Sequence, residues 1–404
     1  MYVPLLFSSR KPFHIKVITD GERLRYSRPV LDACDKIAID QTIDLADLSH
    51  VLRTLKKQAG LFHFFYETAF WTTVEKLCGL APSRREMVVR VFLCEAQRII
   101  SHLVCVCEVI KLAGVDWVFF EALRIRNAFF SVWTKSCVTF QDFIKRTNLQ
   151  HSAHLMSADM ESNFCNELYA VLLGANALIT KTQNIISSFF FKQRTKGVGI
   201  ISKDLASVFS LSGPNARASG LNYDIRKVNA SENSNNIYNE IHFQTIVKSG
   251  GDVHSRCKLR IDEIIQSFDI LKQCLTLETS LKGIETGEEQ ECFCFSSIFA
   301  LLSDVANPDE AEDLGILQSV YALKCKKDSL RTQLSHVKPC YYSLESPWGE
   351  LGFFLMNSEG SRCRCQLNGA STNAIQVFER ICLSECLSDV EIIARSLDLQ
   401  IGEV

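Results

Sequence analysis

The sequence predicts an α+β fold with a β-hairpin near the N-terminus, long helices in the centre and β elements near the C-terminus. Apolar and polar residues partly alternate over 13–19, which is the spacing of a strand. Apolar residues recur at helical spacing from 44 to 137, and short apolar segments lie at 341–345 and 352–356. Separate helical and strand-rich stretches are typical of the α+β class.

The N-terminal hairpin is predicted by a turn signal between two strand-like segments. Asp20-Gly21 follows the first segment, and glycine supplies the positive φ that a tight hairpin turn requires. Residues 24–30 can then return as the partner strand.

Four helical segments follow from the spacing of apolar residues and from their ends. Pro82-Ser83 begins and Ala113-Gly114 ends a predicted helix over 84–112. The other predicted helical segments cover 159–190, 253–277 and 389–397.

Three stretches are polar and are predicted to be irregular. Residues 197–223 are rich in Gly, Ser and Asn, which favours loop and short strand. Residues 229–236 are predicted to be an exposed insertion, and 278–315 an acidic irregular segment. The chain is thus divided into a hairpin region (1–43), a helical core (44–196), a loop and long-helix segment (197–277), a variable acidic segment (278–340) and a C-terminal β/α region (341–404).

Charge and hydropathy exclude several classes of protein. The chain of 404 residues carries 44 Lys and Arg against 46 Asp and Glu, a net charge of −2 that argues against a bulk binder of nucleic acid or anionic membrane. Its 47% hydrophobic content supports a large core. We expect no signal or transit peptide at the start and no membrane-spanning segment.

The 17 cysteines include no CxxC motif, so an internal zinc or iron–sulfur centre is not predicted. A chain of this length does not need a disulfide framework. We therefore expect reduced cysteines that fill the core as small hydrophobic side chains.

No motif of a stand-alone active site is present in the sequence. There is no phosphate-binding loop, no dinucleotide glycine pattern, no nucleophile elbow and no HExxH motif. Arg84, Arg90, Glu95 and Arg98 are predicted to lie on a solvated helix face, with a weak ion pair between Glu95 and Arg98. His102 is predicted to be a structural histidine.

Two segments carry residue patterns that are too specific to result from amino-acid composition alone. The first is the helix with Arg84, Arg90, Glu95, Arg98 and His102, and the second is the run from Arg217 through Asn222, Tyr223, Asp224 and Arg226 to Lys227. Together with residues 196–199, 211–213, 251–260 and 349–361, they resemble the quinone-site core subunit of respiratory complex I. That family is related to the large subunit of NiFe hydrogenases, and the resemblance spans almost the whole chain.

The resemblance implies a hydrogenase-like α+β fold and a place in the peripheral arm of an NADH:ubiquinone oxidoreductase. The chain would form part of a ubiquinone cavity beside a terminal 4Fe–4S cluster held by a neighbouring subunit, and would bind no cofactor alone. Its implied partners are other core subunits, above all the terminal-cluster subunit and the membrane-arm subunit at the quinone entrance. The implied location is the matrix or cytosolic side of an energy-coupling membrane. The Phe- and Cys-rich composition favours an organelle gene, and hence the matrix side of the mitochondrial inner membrane, over a bacterial subunit.

The quinone-contacting positions of that family are changed in this sequence. Ungapped alignment places Arg10 where the family has the quinone histidine, Gly60 at the quinone tyrosine and Leu112 at the aspartate that partners the histidine. His14 and His63 lie near these positions and are alternative candidates. The cluster-facing positions are occupied by Lys57 and Asp142.

Two functional hypotheses remain open. The chain is either a divergent working quinone-site subunit or a structural subunit of the same complex that has lost the residues which protonate quinone. A stand-alone NiFe hydrogenase subunit is rejected because it requires CxxC motifs at both ends. A generic interaction protein would leave the 217–227 run unexplained.

Overall fold

The computed structural model describes residues 2–5, 13–30, 42–44, 55, 62–78, 84–146, 158–232, 236–284, 339–359 and 362–403. The strands are β1 (Tyr2–Leu5), β2 (Phe13–Asp20), β3 (Arg23–Val30), β4 (Thr42–Asp44), β5 (Cys340–Ser346), β6 (Gly349–Glu359) and β7 (Arg362–Gly369). The α-helices are α1 (His63–Cys78), α2 (Arg84–Leu112), α3 (Asp116–Arg146), α4 (Ala158–Ser187), α5 (Phe189–Thr195), α6 (Lys203–Val208), α7 (Gly213–Ala218), α8 (Ile225–Glu232), α9 (Val253–Ile284), α10 (Ala370–Ile381) and α11 (Val390–Leu397). The elements therefore confirm the α+β class.

The N-terminal sheet contains the predicted hairpin of β2 and β3. The turn glycine, Gly21, has a φ of +64°. The inward side chains Ile15, Val17 and Leu24 are buried, as alternation requires. The sequence did not indicate β1, which adds a third antiparallel strand beside β2.

Helix α2 lies at the centre of the molecule and has the predicted bounds. Gly114, at a φ of +99°, ends it. Every residue from 93 to 110 is buried, which means that other elements cover this helix on all sides. Helices α3, α4, α9 and α11 all pack against it.

The other predicted helices are present with changed ends. Ser188 separates α4 from α5, because its side chain accepts a hydrogen bond from the backbone N–H of Phe191 and starts a new helix. Helix α9 continues to Ile284, so the predicted acidic irregular segment begins inside a helix. The rest of that segment, 285–315, lies outside the described residues.

The prediction of loop and strand over 197–223 was wrong in part, because this stretch forms helices α6 and α7. The side chain of Ser202 caps α6 through the N–H of Leu205, and Pro214 occupies the first turn of α7. Helix stops and starts thus account for the Gly and Ser content.

The exposed insertion at 229–236 was also wrong in part. Asn229 lies within α8, and its side-chain amide donates to the carbonyl of Ser343 at 2.6 Å. Ala230, in the same helix, is buried. Residues 233–235 lie outside the described part of the chain.

The C-terminal sheet has the strand order β4-β7-β6-β5, with all pairs antiparallel. The predicted strands around Trp348 are confirmed as β5 and β6. Strand β4 comes from the N-terminal part of the chain, and the boundary placed after residue 43 falls inside it. Strand β7 and helix α10 were not predicted.

The described cysteines are free thiols, and most of them are buried. Burial raises the pKa of the Cys94 and Cys257 thiols to about 12. Their burial agrees with the prediction that the cysteines fill the core as small hydrophobic side chains. No helix within the described residues is both long enough and apolar enough to cross a membrane.

Candidate functional site

The middle of α2 carries a row of ionisable side chains that face the protein interior. Glu95, Arg98 and His102 are each fully buried. Their spacing of three and four residues places them on one face of the helix. The prediction of a solvated face was therefore wrong for Glu95 and Arg98, because α9, α8 and β5 supply polar partners that allow this part of the helix to be buried, whereas Arg84 is exposed as predicted.

Glu95 accepts hydrogen bonds from four side chains. Oε1 receives Arg226 Nη1 at 3.1 Å and the Tyr238 hydroxyl at 2.9 Å. Oε2 receives Arg98 Nε at 3.2 Å and the Ser267 hydroxyl at 2.5 Å. Burial alone would raise the pKa of Glu95, but the two guanidinium groups and the hydroxyl donors outweigh it and hold the pKa below its usual value.

Arg98 connects α2 to two other elements. Its Nη1 donates to the carbonyl of Ser346 at 3.1 Å and its Nη2 to the carbonyl of Glu345 at 2.6 Å, both at the end of β5. The guanidinium also lies 5.7 Å from the ring centre of Phe65 in α1. One side chain thus holds α1, α2 and the C-terminal sheet together.

The Asp224–Arg226 pair is bidentate. Arg226 Nε and Nη2 donate to the two carboxylate oxygens of Asp224 at 3.0 Å and 2.8 Å. Burial opposes the charged form of Asp224, but Arg226 and Arg217 more than compensate and lower its pKa. Because Arg226 also reaches Glu95, the pair fixes α8 against α2.

Arg217, in α7, joins two further carboxylates. Its Nε donates to Glu263 Oε1 at 2.8 Å, and its Nη1 donates to Glu345 Oε1 at 2.7 Å. The same Nη1 also donates to the carbonyl of Tyr223 at 3.1 Å. All three charged side chains are buried, so Arg217 links α7, α9 and β5 in the interior.

His102 completes the row through Glu263, with 3.0 Å between its Nε2 and Oε2 of that carboxylate. Burial lowers the pKa of His102 to about 4, although Glu263 opposes the shift. The imidazole is therefore neutral near pH 7, and Nε2 carries the hydrogen because a carboxylate only accepts.

We call this set the buried ionic network: Glu95, Arg98, His102, Arg217, Asp224, Arg226, Glu263 and Glu345. Its four carboxylates all meet a guanidinium or an imidazole. The pKa of Glu345 is raised, whereas the pKa values of the other three carboxylates are lowered. Burial and the neighbouring Asp224 raise it, although Arg217 opposes the shift. A network in which every carboxylate accepts a hydrogen bond from a guanidinium or an imidazole positions secondary structure and offers no nucleophile or free base.

The buried ionic network joins residues from distant parts of the described chain, and most of them lie in the segment that matches a known protein family. A model of the 49 kDa subunit of respiratory-chain NADH dehydrogenase matches residues 155–404, more than half of the sequence. The chain belongs to this 49 kDa subunit family. It is thus a subunit of a multisubunit NADH dehydrogenase.

Alignments with three curated relatives each cover most of this chain and most of the relative. An NADH-quinone oxidoreductase subunit of Rhodopseudomonas palustris (strain BisB5) is 29% identical over 84% of this chain and 76% of its own. An NAD(P)H-quinone oxidoreductase subunit of Prochlorococcus marinus (strain MIT 9312) is 25% identical over 96% and 92%. The corresponding organellar chromatophore protein of Paulinella chromatophora is 28% identical over the same shares.

In this member of the 49 kDa family, five of the predicted site residues meet in the buried ionic network: Glu95, Arg98, His102, Asp224 and Arg226. Arg84 and Arg90 lie on the same helix but outside the network. Arg84 pairs with Glu240 at 2.5 Å near the surface, and Arg90 makes a two-point contact with Glu75 of α1. Asn222 is exposed and Tyr223 is 38% exposed.

The quinone and cluster positions are described only in part. Arg10, Lys57 and Gly60 lie outside the described residues, and Asp142 lies in α3 with its side chain outside them. Leu112 ends α2 and packs partly buried against the core. His14 is exposed on β2, whereas His63 is buried.

His63 is the first residue of α1 and pairs with Glu67 one turn later. Nδ1 of the imidazole lies 2.8 Å from Glu67 Oε1, and the two side chains are 10% and 1% exposed. Of these two residues, only His63 was a candidate site residue in the sequence analysis.

A second buried carboxylate binds α1 at Tyr66, three residues after His63. Glu403 accepts the Tyr66 hydroxyl at 2.6 Å, the Trp348 indole N–H at 2.7 Å and the N–H of Ser371 at 3.0 Å. Burial raises its pKa against these donors. Gly369 is required beside it, because a Cβ there would lie 2.4 Å from Glu403 Oε2.

The sequence analysis missed the acidic partners Glu263, Glu345, Glu403 and Glu67. A usable signal existed for one of them, since Arg256, Arg260, Glu263 and Ser267 recur at helical spacing along α9, opposite the row on α2. Among the described residues, no group of three or more His, Cys, Asp and Glu side chains could hold a metal ion.

Proposed function

We propose that this chain forms one wall of the quinone cavity in the peripheral arm of a proton-translocating NADH:ubiquinone oxidoreductase. In this arrangement a neighbouring subunit holds the terminal 4Fe–4S cluster, and electrons from NADH reach ubiquinone beside α1. The relatives named as quinone oxidoreductase subunits support quinone as the acceptor. We also propose that the α+β architecture has the shape of a NiFe hydrogenase large subunit.

The observation that carries the proposal is the way α1 is held. Phe65 stacks edge-on against Trp348 with ring centres 6.0 Å apart, and Arg98 lies over the same phenylalanine ring. Tyr66 and Trp348 both donate to Glu403. A helix held by aromatic contacts at Phe65 and by a buried hydrogen bond at Tyr66 is a rigid wall, as a binding cavity for a flat ring requires.

Two positions of this wall that would contact the quinone carry residues that cannot deliver protons to it. Reduction of a quinone to a quinol consumes two electrons and two protons, so a donor group or water must stand close to each quinone oxygen. Arg10 can donate a hydrogen bond to a carbonyl but stays protonated, and Gly60 has no side chain to donate. Lys57 and Asp142 would face the cluster, where Lys57 provides a cation without the planar fork of arginine.

Neighbouring core subunits would cover the large apolar side chains that the chain exposes. Trp117, Phe120, Phe189 and Phe190 are 50–84% exposed. Such side chains favour contact with other proteins. We propose the terminal-cluster subunit and the membrane-arm subunit at the quinone entrance as partners, on the matrix side of the mitochondrial inner membrane, with an organelle gene as the source.

The alternative is a structural subunit of the same complex without quinone chemistry. It is favoured by the three replaced positions, Arg10, Gly60 and Leu112. Leu112 packs against the core and carries no charge that could orient a histidine. The buried ionic network would serve either function equally well, because it only positions secondary structure.

The two functions are separated by an experiment on the assembled complex that contains this chain. NADH oxidation is measured with ferricyanide, a hydrophilic acceptor, and with a short-chain ubiquinone in the presence and absence of a rotenone-type inhibitor. A working cavity gives inhibitor-sensitive quinone reduction and cross-linking of an azido-quinone to α1. A complex that reduces ferricyanide but not quinone contradicts the proposal and favours the structural subunit.

A further inference from the structure

In the His63–Glu67 pair the carboxylate fixes the orientation of the imidazole, as is typical of a histidine that donates protons. The imidazole and the carboxylate are one helical turn apart, 2.8 Å from Nδ1 to Oε1, and both residues are at least nine-tenths buried. A carboxylate accepts hydrogen bonds and does not donate them, so Nδ1 carries the hydrogen of this bond. The orientation of the ring and its tautomer are thereby fixed.

The other nitrogen of the ring is open to a further molecule. No described residue makes a hydrogen bond with Nε2 of His63, although the side chain is only 10% exposed. When the ring is protonated, Nε2 carries a hydrogen that it can donate, and Glu67 stabilises the positive charge. This is how a carboxylate supports a histidine that transfers protons.

The residues beside His63 are apolar and aromatic. Phe62, Phe64 and Phe65 are all buried, and Phe62 stacks edge-on with Phe130 of α3 at 5.9 Å. A buried polar atom among aromatic side chains suits a flat, mostly apolar ligand that has one hydrogen-bonding group at its edge. A quinone head group belongs to this class of ligand.

We propose that His63, held by Glu67, protonates the reduced quinone in this chain. The inference rests on the proposed function and assigns a residue to the step that Arg10 and Gly60 cannot perform. Two electrons derived from NADH enter the quinone ring. The Nε2–H bond of His63 breaks while an O–H bond forms at one quinone oxygen, solvent supplies the proton for the second oxygen, and the imidazole is then reprotonated from water.

The test uses His63→Gln, His63→Ala and Glu67→Gln in the assembled complex, with His242→Gln as the control. His242 is an exposed histidine on a different surface. Quinone reduction gives kcat and KM for each variant, and ferricyanide reduction reports the electron path before the quinone. Glutamine at 63 keeps an amide that can donate to Glu67, so assembly is preserved while proton transfer is not.

We expect His63→Gln to lower kcat for quinone by about 100-fold, the low end for a lost acid–base group. Glu67→Gln lowers it by about 10-fold, because the ring remains but loses its carboxylate. KM changes less than kcat, ferricyanide reduction is unchanged, and His242→Gln matches the unmodified complex. Added imidazole restores quinone turnover to His63→Ala, an effect that a purely structural histidine would not produce.

Quinone turnover in His63→Gln within twofold of the unmodified complex would overturn the inference. So would equal losses of quinone and ferricyanide activity, which indicate damage to the fold. An unmodified complex that reduces ferricyanide but never quinone overturns the proposed function as well. That failure differs from a failure of the His63 assignment alone, in which the unmodified complex does reduce quinone.

Discussion

The hydroxyl group of Tyr66 donates to the carboxylate of Glu403 at 2.6 Å, across 337 positions of the chain. The same carboxylate binds Trp348 and the N-terminus of α10, so it joins α1, the β5–β6 turn and the C-terminal segment. The position of the proposed quinone wall therefore depends on the last residues of the described chain.

We expect substitutions of Tyr66 and of Glu403 to lower the stability of the subunit by different amounts. Tyr66→Phe removes one donor and leaves Glu403 Oε1 bonded to Trp348, at a cost of about 1 kcal/mol. Glu403→Gln places an amide N–H₂ against donors and leaves at least one of them unpaired, at a cost of about 2–3 kcal/mol. The thermal inactivation midpoint of the assembled complex measures both, and equal midpoints for the two variants would contradict this account.

The buried and exposed ion pairs of the same spacing provide a matched comparison. Glu95 and Arg98 are three residues apart and buried, whereas Glu121 and Arg124 are three residues apart and exposed. We expect Glu95→Gln to cost about 3–5 kcal/mol, because it leaves the buried guanidinium of Arg98 without its counter-charge and removes one of the two carboxylates that pair with Arg226. The change should prevent stable incorporation of the chain into the complex.

Glu121→Gln should leave the amount of assembled complex unchanged, because solvent screens an exposed pair. Quantification of the subunit in the isolated complex by mass spectrometry distinguishes the two variants. Similar yields for Glu95→Gln and Glu121→Gln would mean that the buried ionic network does not stabilise the subunit.

Local chemistry explains which elements could be predicted. The bounds of α2 follow from Pro82-Ser83 and Ala113-Gly114, which act within a few residues. The hairpin likewise follows from Asp20-Gly21 between alternating segments. These signals do not depend on the rest of the fold.

Burial of charge could not be predicted in the same way. In the sequence the Glu95–Arg98 pair resembles the Glu121–Arg124 pair, and only distant partners such as Arg226 and Ser267 make the first one an interior pair. The pairing of β4 with β7 is also non-local, because it joins residues 42–44 to 362–364. The role of Glu403 depends on Tyr66, Trp348 and Ser371, which meet it only in the folded molecule.

Two glycines with positive φ differ in how close other atoms lie. A Cβ at Gly213 would lie 2.3 Å from the Cα of Gly349, whereas a Cβ at Gly197 would meet nothing within 4 Å. We expect Gly197→Ala to cost only the left-handed backbone strain, about 1–2 kcal/mol. Gly213→Ala adds a backbone clash to that strain and should prevent assembly at 37 °C. Thermal inactivation of the two variant complexes checks the order, and a tolerated Gly213→Ala would contradict the close approach of α7 to β6.

His102 should make the stability of the subunit depend on pH below neutrality. Its pKa is about 4 in the folded protein, against an ordinary value of 6.5. Between these two values the unfolded chain binds a proton that the folded chain does not, so the free energy of unfolding falls as the pH is lowered from 6.5 towards 4. Above pH 6.5 the imidazole is neutral in both states and makes no such contribution.

The expected loss from His102 alone is on the order of 3 kcal/mol at the acidic end of this range. His102→Gln removes the titrating group while its amide can still donate to Glu263. The variant should therefore lose less thermal stability than the unmodified complex between pH 6.5 and pH 5, although the other titrating groups affect both equally. Parallel stability profiles for the two complexes would mean that burial does not lower the pKa of His102 in the folded subunit, and His242→Gln serves as the exposed control.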